Sequence, residues 1–345
     1  MFAKMRTPAA LAPSELDHYL SQGWFRMRQT IFTTSFLHFN NRFYSVLWLR
    51  VALDRFLPCK KYGELNKINS KFKTEIKPLD LTAAHEALYQ LYRQSVSFDV
   101  SPTLHDLLVG NEAYNRFDTY QVNVFDGNKL IAAGFFDLGK TSAAGISSIY
   151  HPEYKKYSLG KYLIFLKIDF CMQNSLAHFY PGYLVPGYRA FDYKTEIGKG
   201  SLEWLQFETG YWLPYQSFNP AMSPMICMEE KLLALRSRLT KHNIHSAVMY
   251  YKFFDATLDP HYSGDDLFEF PIFLYHFITP DHYDMIVYNV KDAQYHLLQC
   301  SPIAHLDYYS FSNNIFNSCL LKINKSLLIT SVADEIADML PTLYG

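Results

Sequence analysis

Few residues in this chain have the type and spacing to do chemistry. Between Arg55 and Lys77 seven basic and two acidic side chains share one run, RFLPCKKYGELNKINSKFKTEIK. Its Lys60, Lys61, Lys67, Lys71 and Lys73 suit a phosphate backbone, although a solvated helix face has the same composition. Ser147 and Ser148 open the string SSIY, and Ser158, Leu159 and Gly160 precede an apolar stretch that reads as a helix, whose free N–H groups would attract an anion. His242 and His245 share the spacing of a helical metal pair, but no third ligand lies nearby. The five cysteines (Cys59, Cys171, Cys227, Cys300 and Cys319) are far apart, odd in number and without a CxxC pair. Neither a disulfide framework nor a zinc knuckle is indicated, and no Ser-His-Asp set is evident. No metal and no cofactor is expected.

The elements that must position these residues belong to a folded protein of about two domains. Of 345 residues, 49% are hydrophobic and 19% charged, which excludes a disordered chain. Aromatic residues reach 17%, with 27 Tyr and 27 Phe, and tyrosines need one wet or hydrogen-bonded end. The net charge of -1 hides an asymmetry: from residue 225 onward 8 basic and 14 acidic residues give -6, whereas the preceding 224 carry 24 and 19, giving +5. A polyanion should meet the first two-thirds. The cysteine usage fits a reducing cytoplasm. The N-terminal stretch lacks a signal-peptide core, and the longest apolar run, 270–278, contains Pro271 and His276, so neither a signal peptide nor a membrane span is expected.

Periodicity predicts a short helix over 14–22 capped by Ser14, two or three strands over 24–53, and an amphipathic helix over 81–95. A hairpin over 119–139 turns at Asp126-Gly127, a third strand covers 144–151, and a buried helix covers 161–175. Residues 178–198 begin as a strand and become a Gly/Pro/Tyr loop; 201–218 read as a short helix and a closing strand. After Met225 come a helix, three strands and a final helix. Pro220, Pro224 and the charge shift mark a boundary near 219–226.

Hairpin, strand with small residues, Gly-containing loop and helix is the order found at the heart of GNAT-like acyltransferases. DGNKLIAAGFFDL (126–138), SSIYHPEYKKYSLGKY (147–162) and AFDYK (190–194) resemble the C-terminal domain of the arginyl-tRNA–protein transferases and their bacterial leucyl-transferring relatives. GWFRMRQTIF (23–32) and VALDRFLPCKKYGELNKIN (51–69) are similar to that family's opening and basic segments, so the resemblance spans roughly residues 15–215. The family's cysteine cluster is absent: TTSFLHFNNRFYSVLWLRV holds no Cys, and Cys59 alone cannot build a four-thiolate site.

The resemblance implies an α+β fold, with a GNAT-like core of mixed, mostly antiparallel sheet flanked by helices, an N-terminal α/β subdomain and an added C-terminal α+β region. The expected units are 1–80, 81–220 and 225–345. It implies a cytoplasmic enzyme that moves Arg or Leu from an aminoacyl-tRNA to the N-terminal α-amine of an acceptor protein, an N-degron type of modification. Such aminolysis needs orientation, oxyanion stabilisation and one proton transfer, without a covalent enzyme intermediate. In this reading Ser147, Ser148 and Ile149 present backbone N–H groups to the ester carbonyl, Tyr150 bonds the amine or the ribose, and Asp137 binds a cationic amino acid or amine. Ser158 and Gly160 meet the terminal adenosine phosphate. Tyr188, Arg189, Tyr193 and Lys194 line the acceptor loop, and the five lysines named above hold the tRNA. As strand, loop and surface residues without such roles, the same positions would look alike. Two alternatives share the fold: an acyl-CoA-dependent N-acyltransferase, disfavoured by Tyr157 and Tyr162 in the pyrophosphate loop, and an inactive binding module.

Overall fold

The computed structural model describes residues 2–97, 100–112, 114–259, 262, 266–276, 283–305 and 319–344. The last residues of the 270–278 apolar run lie outside the described residues.

The chain opens with β1 (Ala3–Arg6) and α1 (Pro13–Ser21). Ala12, rather than Ser14, is the N-cap of α1: Pro13 fits the first helical position, and Glu15 Oε2 accepts from Ala12 N at 2.8 Å. The β-branched and aromatic residues that follow form five short strands, β2 (Phe25–Met27), β3 (Thr30–Thr34), β4 (Phe36–Phe39), β5 (Arg42–Ser45) and β6 (Leu47–Ala52). The basic run divides into α2 (Lys60–Asn69) and β7 (Lys73–Pro78).

Thr82 caps α3 (Ala83–Ser95), and His85 completes the reciprocal half, its Nδ1 accepting from Thr82 N at 3.2 Å. Glu86, one residue too far along to close that box, accepts from Leu104 N at 2.9 Å and ties down α4 (Leu104–Leu108). The hairpin β8 (Thr119–Asp126) and β9 (Lys129–Leu138) turns at Asp126-Gly127, and β10 (Ser142–Tyr150), α5 (Leu159–Gln173) and β11 (His178–Leu184) follow in the expected order. Where a short helix and a strand were expected, β12 (Leu202–Gln206) and β13 (Tyr211–Pro214) form an antiparallel hairpin. Leu202 to Leu205 are all buried, which makes this short run a strand of the central sheet.

These elements meet in an eight-stranded sheet of order β13-β12-β6-β11-β10-β9-β8-β7, in which β10 and β11 form a parallel pair. α5 covers one face over Val122, Ala132 and Phe136; α3 and α4 cover the other over Ala133, Phe135 and Ile149. Strands buried on both sides read as continuous apolar runs, as LIAAGFF does in β9. The sheet draws β6 and β7 from before residue 80, so it crosses the boundary expected there.

The remainder is α6 (Pro224–Lys241), the strands β14 (Ala247–Tyr250), β15 (Ile272–His276), β16 (Tyr283–Asn289), β17 (Gln294–His305) and β18 (Cys319–Thr330), and α7 (Ala333–Tyr344). The five strands pair in chain order, all antiparallel. Sequence periodicity gave α6, β15, β16, β17 and α7 but neither β14 nor β18. Phe2 and Phe36 from the start of the chain join this core, and Met225 N donates to Ser45 Oγ at 2.9 Å. The class is mixed α+β throughout.

Candidate active site

A cavity of about 580 Å³ opens where β10 and β11 separate. Their pairing runs from Ser142↔His178 to Ala144↔Tyr180 and ends there. Beyond it, β10 bulges against β9 between Gly145 and Ser147, leaving Ile146 without a partner residue, and the β11–β6 register shifts between Phe179 and Gly182. Both irregular stretches line the cavity.

Its far wall is the start of α5. A 3-10 turn over Pro152–Tyr157 leads to Ser158, whose φ of 50° and ψ of 42° place it in the left-handed region, a costly conformation for a residue with a Cβ. Ser158 O accepts from Lys161 N and Tyr162 N at 3.1 Å each, while its side chain makes no cap bond. Ser158 and Gly160 both line the cavity.

Among the described residues four lysines, Lys155, Lys161, Lys167 and Lys194, line this space, and no carboxylate does. Lys161 Nζ reaches outward to Glu196 Oε2 at 2.6 Å. Lys167 is buried in α5; its Nζ donates to Ser147 O at 2.8 Å and lies 3.3 Å from Ser148 Oγ. A Cβ at Gly134 of β9 would stand 2.8 Å from Lys167 Cε, so that glycine makes room for the lysine stem. Lys194, in a 3-10 helix over Arg189–Glu196, donates to Tyr183 O at 2.6 Å beside the rings of Tyr183 and Phe191. It abuts Gly182, whose φ of 84° suits only glycine and whose missing Cβ leaves Lys194 Nζ its place. Burial lowers both amines to about 7, since desolvation disfavours the charged form and neither has a carboxylate partner among the described residues. Burial also pushes the Tyr193 hydroxyl up to about 12.

The structure brings together Ser148, Tyr150, Ser158, Gly160, Tyr193 and Lys194 around this one space. It places three expected residues elsewhere. Asp137 is completely buried away from the cavity, with Oδ1 accepting from Arg26 Nη1 at 2.7 Å and from Thr119 Oγ1 at 2.6 Å. Burial raises its pKa against the pull of Arg26 and Thr119. A carboxylate so enclosed meets no substrate, and its expected role in binding a cationic amine is withdrawn. Tyr188 packs against Phe39, Tyr44 and Phe191, and Arg189 is exposed; neither lines the cavity.

Lys60, Lys61, Lys67, Lys71 and Lys73 are exposed on α2, at its end and at the start of β7. Lys60 and Lys61 stand 3.9 and 3.5 Å from Glu64. Lys61 also lines a small recess with Lys161, Ile164 and Tyr193, which joins this surface to the cavity wall. Lys71 Nζ lies 2.9 Å from Tyr157 Oη and over that ring, and this bond lowers the Tyr157 hydroxyl below its usual value. Lys156 lies over the same ring, and Lys129 over Tyr154. Aromatic faces between ammonium groups are what a single-stranded nucleic-acid end requires.

Sequence reasoning missed Lys155, Lys161 and Lys167. For Lys167 a signal existed: it is a cation inside the otherwise apolar stretch LIFLKI. His242 follows the last residue of α6 and His245 lies beyond it, so the two do not share a helical turn. Among the described residues, no group of three or more His, Cys, Asp or Glu could hold a metal ion, and no helix is long and apolar enough to cross a membrane.

Residues 84–203 match the model of the family described as arginine-tRNA-protein transferase, C terminus. The chain is 26% identical over 220 residues to an aspartate/glutamate leucyltransferase of Leptospira interrogans, covering 62% of this chain and 77% of that one. It is 25% identical over 195 residues to the enzyme of the same name from Helicobacter hepaticus, covering 54% and 78%. Against that from Xanthobacter autotrophicus it is 27% identical over 194 residues, covering 52% and 77%. Among solved structures, the DUF2156 domain of an Agrobacterium fabrum protein assigned as a lysylphosphatidylglycerol synthetase covers 45% of this chain and 50% of its own, at 11% identity and a TM-score of 0.30. That score is too low to bear on the fold. These matches support, at modest identity, a likeness of the chain to the aminoacyl-tRNA–protein transferases.

Proposed function

We propose that this protein transfers leucine from an aminoacyl-tRNA to the N-terminal α-amine of a protein that begins with Asp or Glu, marking it for degradation in the cytoplasm. The observation that carries this reading is the cavity lined by four lysines and no carboxylate. An acidic acceptor side chain finds ammonium groups there, whereas a transferred arginine would find nothing to pair its guanidinium. The names of the relatives support the same choice, so of the two amino acids Leu is preferred over Arg.

The parted strands, the bulge in β10 and the helix that follows support a GNAT-like catalytic core. The α-amine attacks the ester carbonyl carbon, the ribose oxygen leaves with the electron pair, and the amine's proton is removed. Ser148 stands at the bulge beside the reacting carbonyl, and the Tyr150 hydroxyl meets the ribose. Ser158 and Gly160 offer the start of α5 to the terminal phosphate. Lys194 receives the acceptor carboxylate, and the lysines of α2 with Tyr154 and Tyr157 hold the tRNA end. The acyl-CoA alternative is not favoured, because Tyr157 and Tyr162 stand where a pyrophosphate loop needs Gln or Arg and a small residue.

The test offers tRNAs charged with labelled Leu or Arg to peptides starting with Asp, Glu, Lys or Arg. Leucine should pass to the Asp and Glu peptides and arginine to none. No transfer in any pairing, with no salt-sensitive tRNA binding, would sink the enzymatic reading and leave the inactive module.

A further inference from the structure

Aminolysis leaves a cationic nitrogen in the tetrahedral adduct, and some group must take its proton before the ribose oxygen departs. Among the described residues no histidine or carboxylate lines the cavity. The hydroxyl of Ser148 does, and behind it, 3.3 Å away, is Lys167 Nζ, which also holds Ser147 O at 2.8 Å. We infer that Ser148 and Lys167 form a proton relay: the adduct nitrogen gives its proton to Ser148 Oγ as the Ser148 hydroxyl proton passes to Lys167 Nζ.

The step balances without a co-reactant. A neutral Lys167 becomes an ammonium, Ser148 is a hydroxyl before and after, and the proton is returned to the departing ribose oxygen or to solvent. In the neutral state the amine donates to Ser147 O and keeps a lone pair for the Ser148 hydroxyl. The inference rests on the transferase reading and assigns to Lys167 a part that acts through Ser148.

The surroundings favour the neutral form of that lysine. On α5 its nearest titratable neighbour is Cys171, whose thiol burial pushes up to about 12, and Asp169 is occupied by the Tyr62 hydroxyl at 2.7 Å. From β9 it meets Gly134, while Asp137 on the same strand is paired with Arg26. From β10 it meets the two serines, and Tyr150 lines the same cavity. The other basic groups facing the cavity are Lys155, Lys161 and Lys194, and Tyr92 and Tyr193 complete the titratable groups there. Of these neighbours Cys171 pulls the Lys167 pKa back up, and burial outweighs that pull.

The experiment uses full-length protein, leucyl-tRNA and an Asp-led peptide whose terminal amine is replaced by a weakly basic aminooxy group. That acceptor is unprotonated across the range, so its own titration is absent. Wild-type kcat/KM should rise with pH to a plateau, with an inflection near 7. Lys167→Met should lower the plateau about 100-fold and abolish the inflection. Lys167→Arg, which keeps a cation but offers no base, should behave like Lys167→Met. Independently of transfer, the Nζ resonance of Lys167 in 15N-lysine-labelled wild-type protein, assigned with Lys167→Met, should titrate near 7. Titration above 9, or Lys167→Met within 3-fold of wild type with its inflection intact, would overturn the relay. Absence of transfer by the wild type itself would instead remove the transferase reading.

Discussion

Two sets of buried charges flank β9 and β10, and they are built on opposite principles. On the α3/α4 side Arg26 and Asp137 face each other at 2.7 Å, both inaccessible to solvent. Arg26 also donates to Thr119 Oγ1 at 2.8 Å, to Leu108 O and to Asn115 Oδ1, with Phe117 against its plane. On the α5 side Lys167 and Lys194 are as deeply buried, yet each meets neutral oxygens and no carboxylate. The first set is closed in charge: guanidinium and carboxylate offset one another, and of the carboxylate only Asp137 Oδ2 is left without a hydrogen bond. The second is open, holding cationic capacity beside a cavity that a ligand can enter. Burial therefore does not separate structure from function here; charge balance does.

The largest expected effect tests the closed set. Asp137→Ala leaves a guanidinium buried without its carboxylate, and stability should fall by about 3–5 kcal/mol in urea unfolding. Arg26→Met combined with Asp137→Leu should recover most of that loss, because the cost lies in the orphaned charge. If the double variant is as unstable as the single one, the network does more than balance charge, and the contrast drawn above fails.

The distinction was half legible in the sequence. A carboxylate at the end of an apolar strand looks the same whether it faces a pocket or an arginine, and the arginine that encloses Asp137 is 111 residues away. Local signals fared better. The Asp126-Gly127 turn and the apolar helix after SLG are set by neighbours in the chain, and both elements stand where expected. Short elements were misread where tertiary pairing decided, as in the β12–β13 hairpin. The cavity depends on where two strands part, and no residue string encodes that. Lys167 was visible as a cation in an apolar helix, but its meaning needed Ser147, Ser148 and Gly134 around it.

A smaller effect tests the open set through stability alone. Each buried amine titrates near 7 in the folded chain and near 10.5 when exposed on unfolding. Between those values the unfolded chain binds more protons, so the contribution of each lysine to stability rises with pH, by roughly 1.4 kcal/mol per pH unit. Below 7 both states are protonated and the penalty is full. Lys194→Met removes one such group, and its stability measured by urea at pH 7, 8 and 9 should climb less steeply than that of the wild type. Parallel slopes would show that Lys194 stays charged when folded, as an ammonium with a hidden partner would.

The smallest effect concerns lysines that are neither closed nor open but outside. Lys60 is 93% exposed, and its contact with Glu64 at 3.9 Å is of a kind that contributes little. Such a residue affects neither folding nor the chemical step, so its work must appear in the ionic-strength dependence of binding. A single Lys67→Gln substitution should leave unfolding unchanged and reduce the slope of log affinity against log salt for tRNA by about 0.7–0.9, the share of one phosphate contact. The same change in Lys167 should leave that slope untouched, since a buried, neutral amine releases no counterion. If Lys67→Gln leaves the slope as it was while Lys167→Gln alters it, the polyanion enters the cavity instead of crossing α2, and the assignment of inner and outer lysines is reversed.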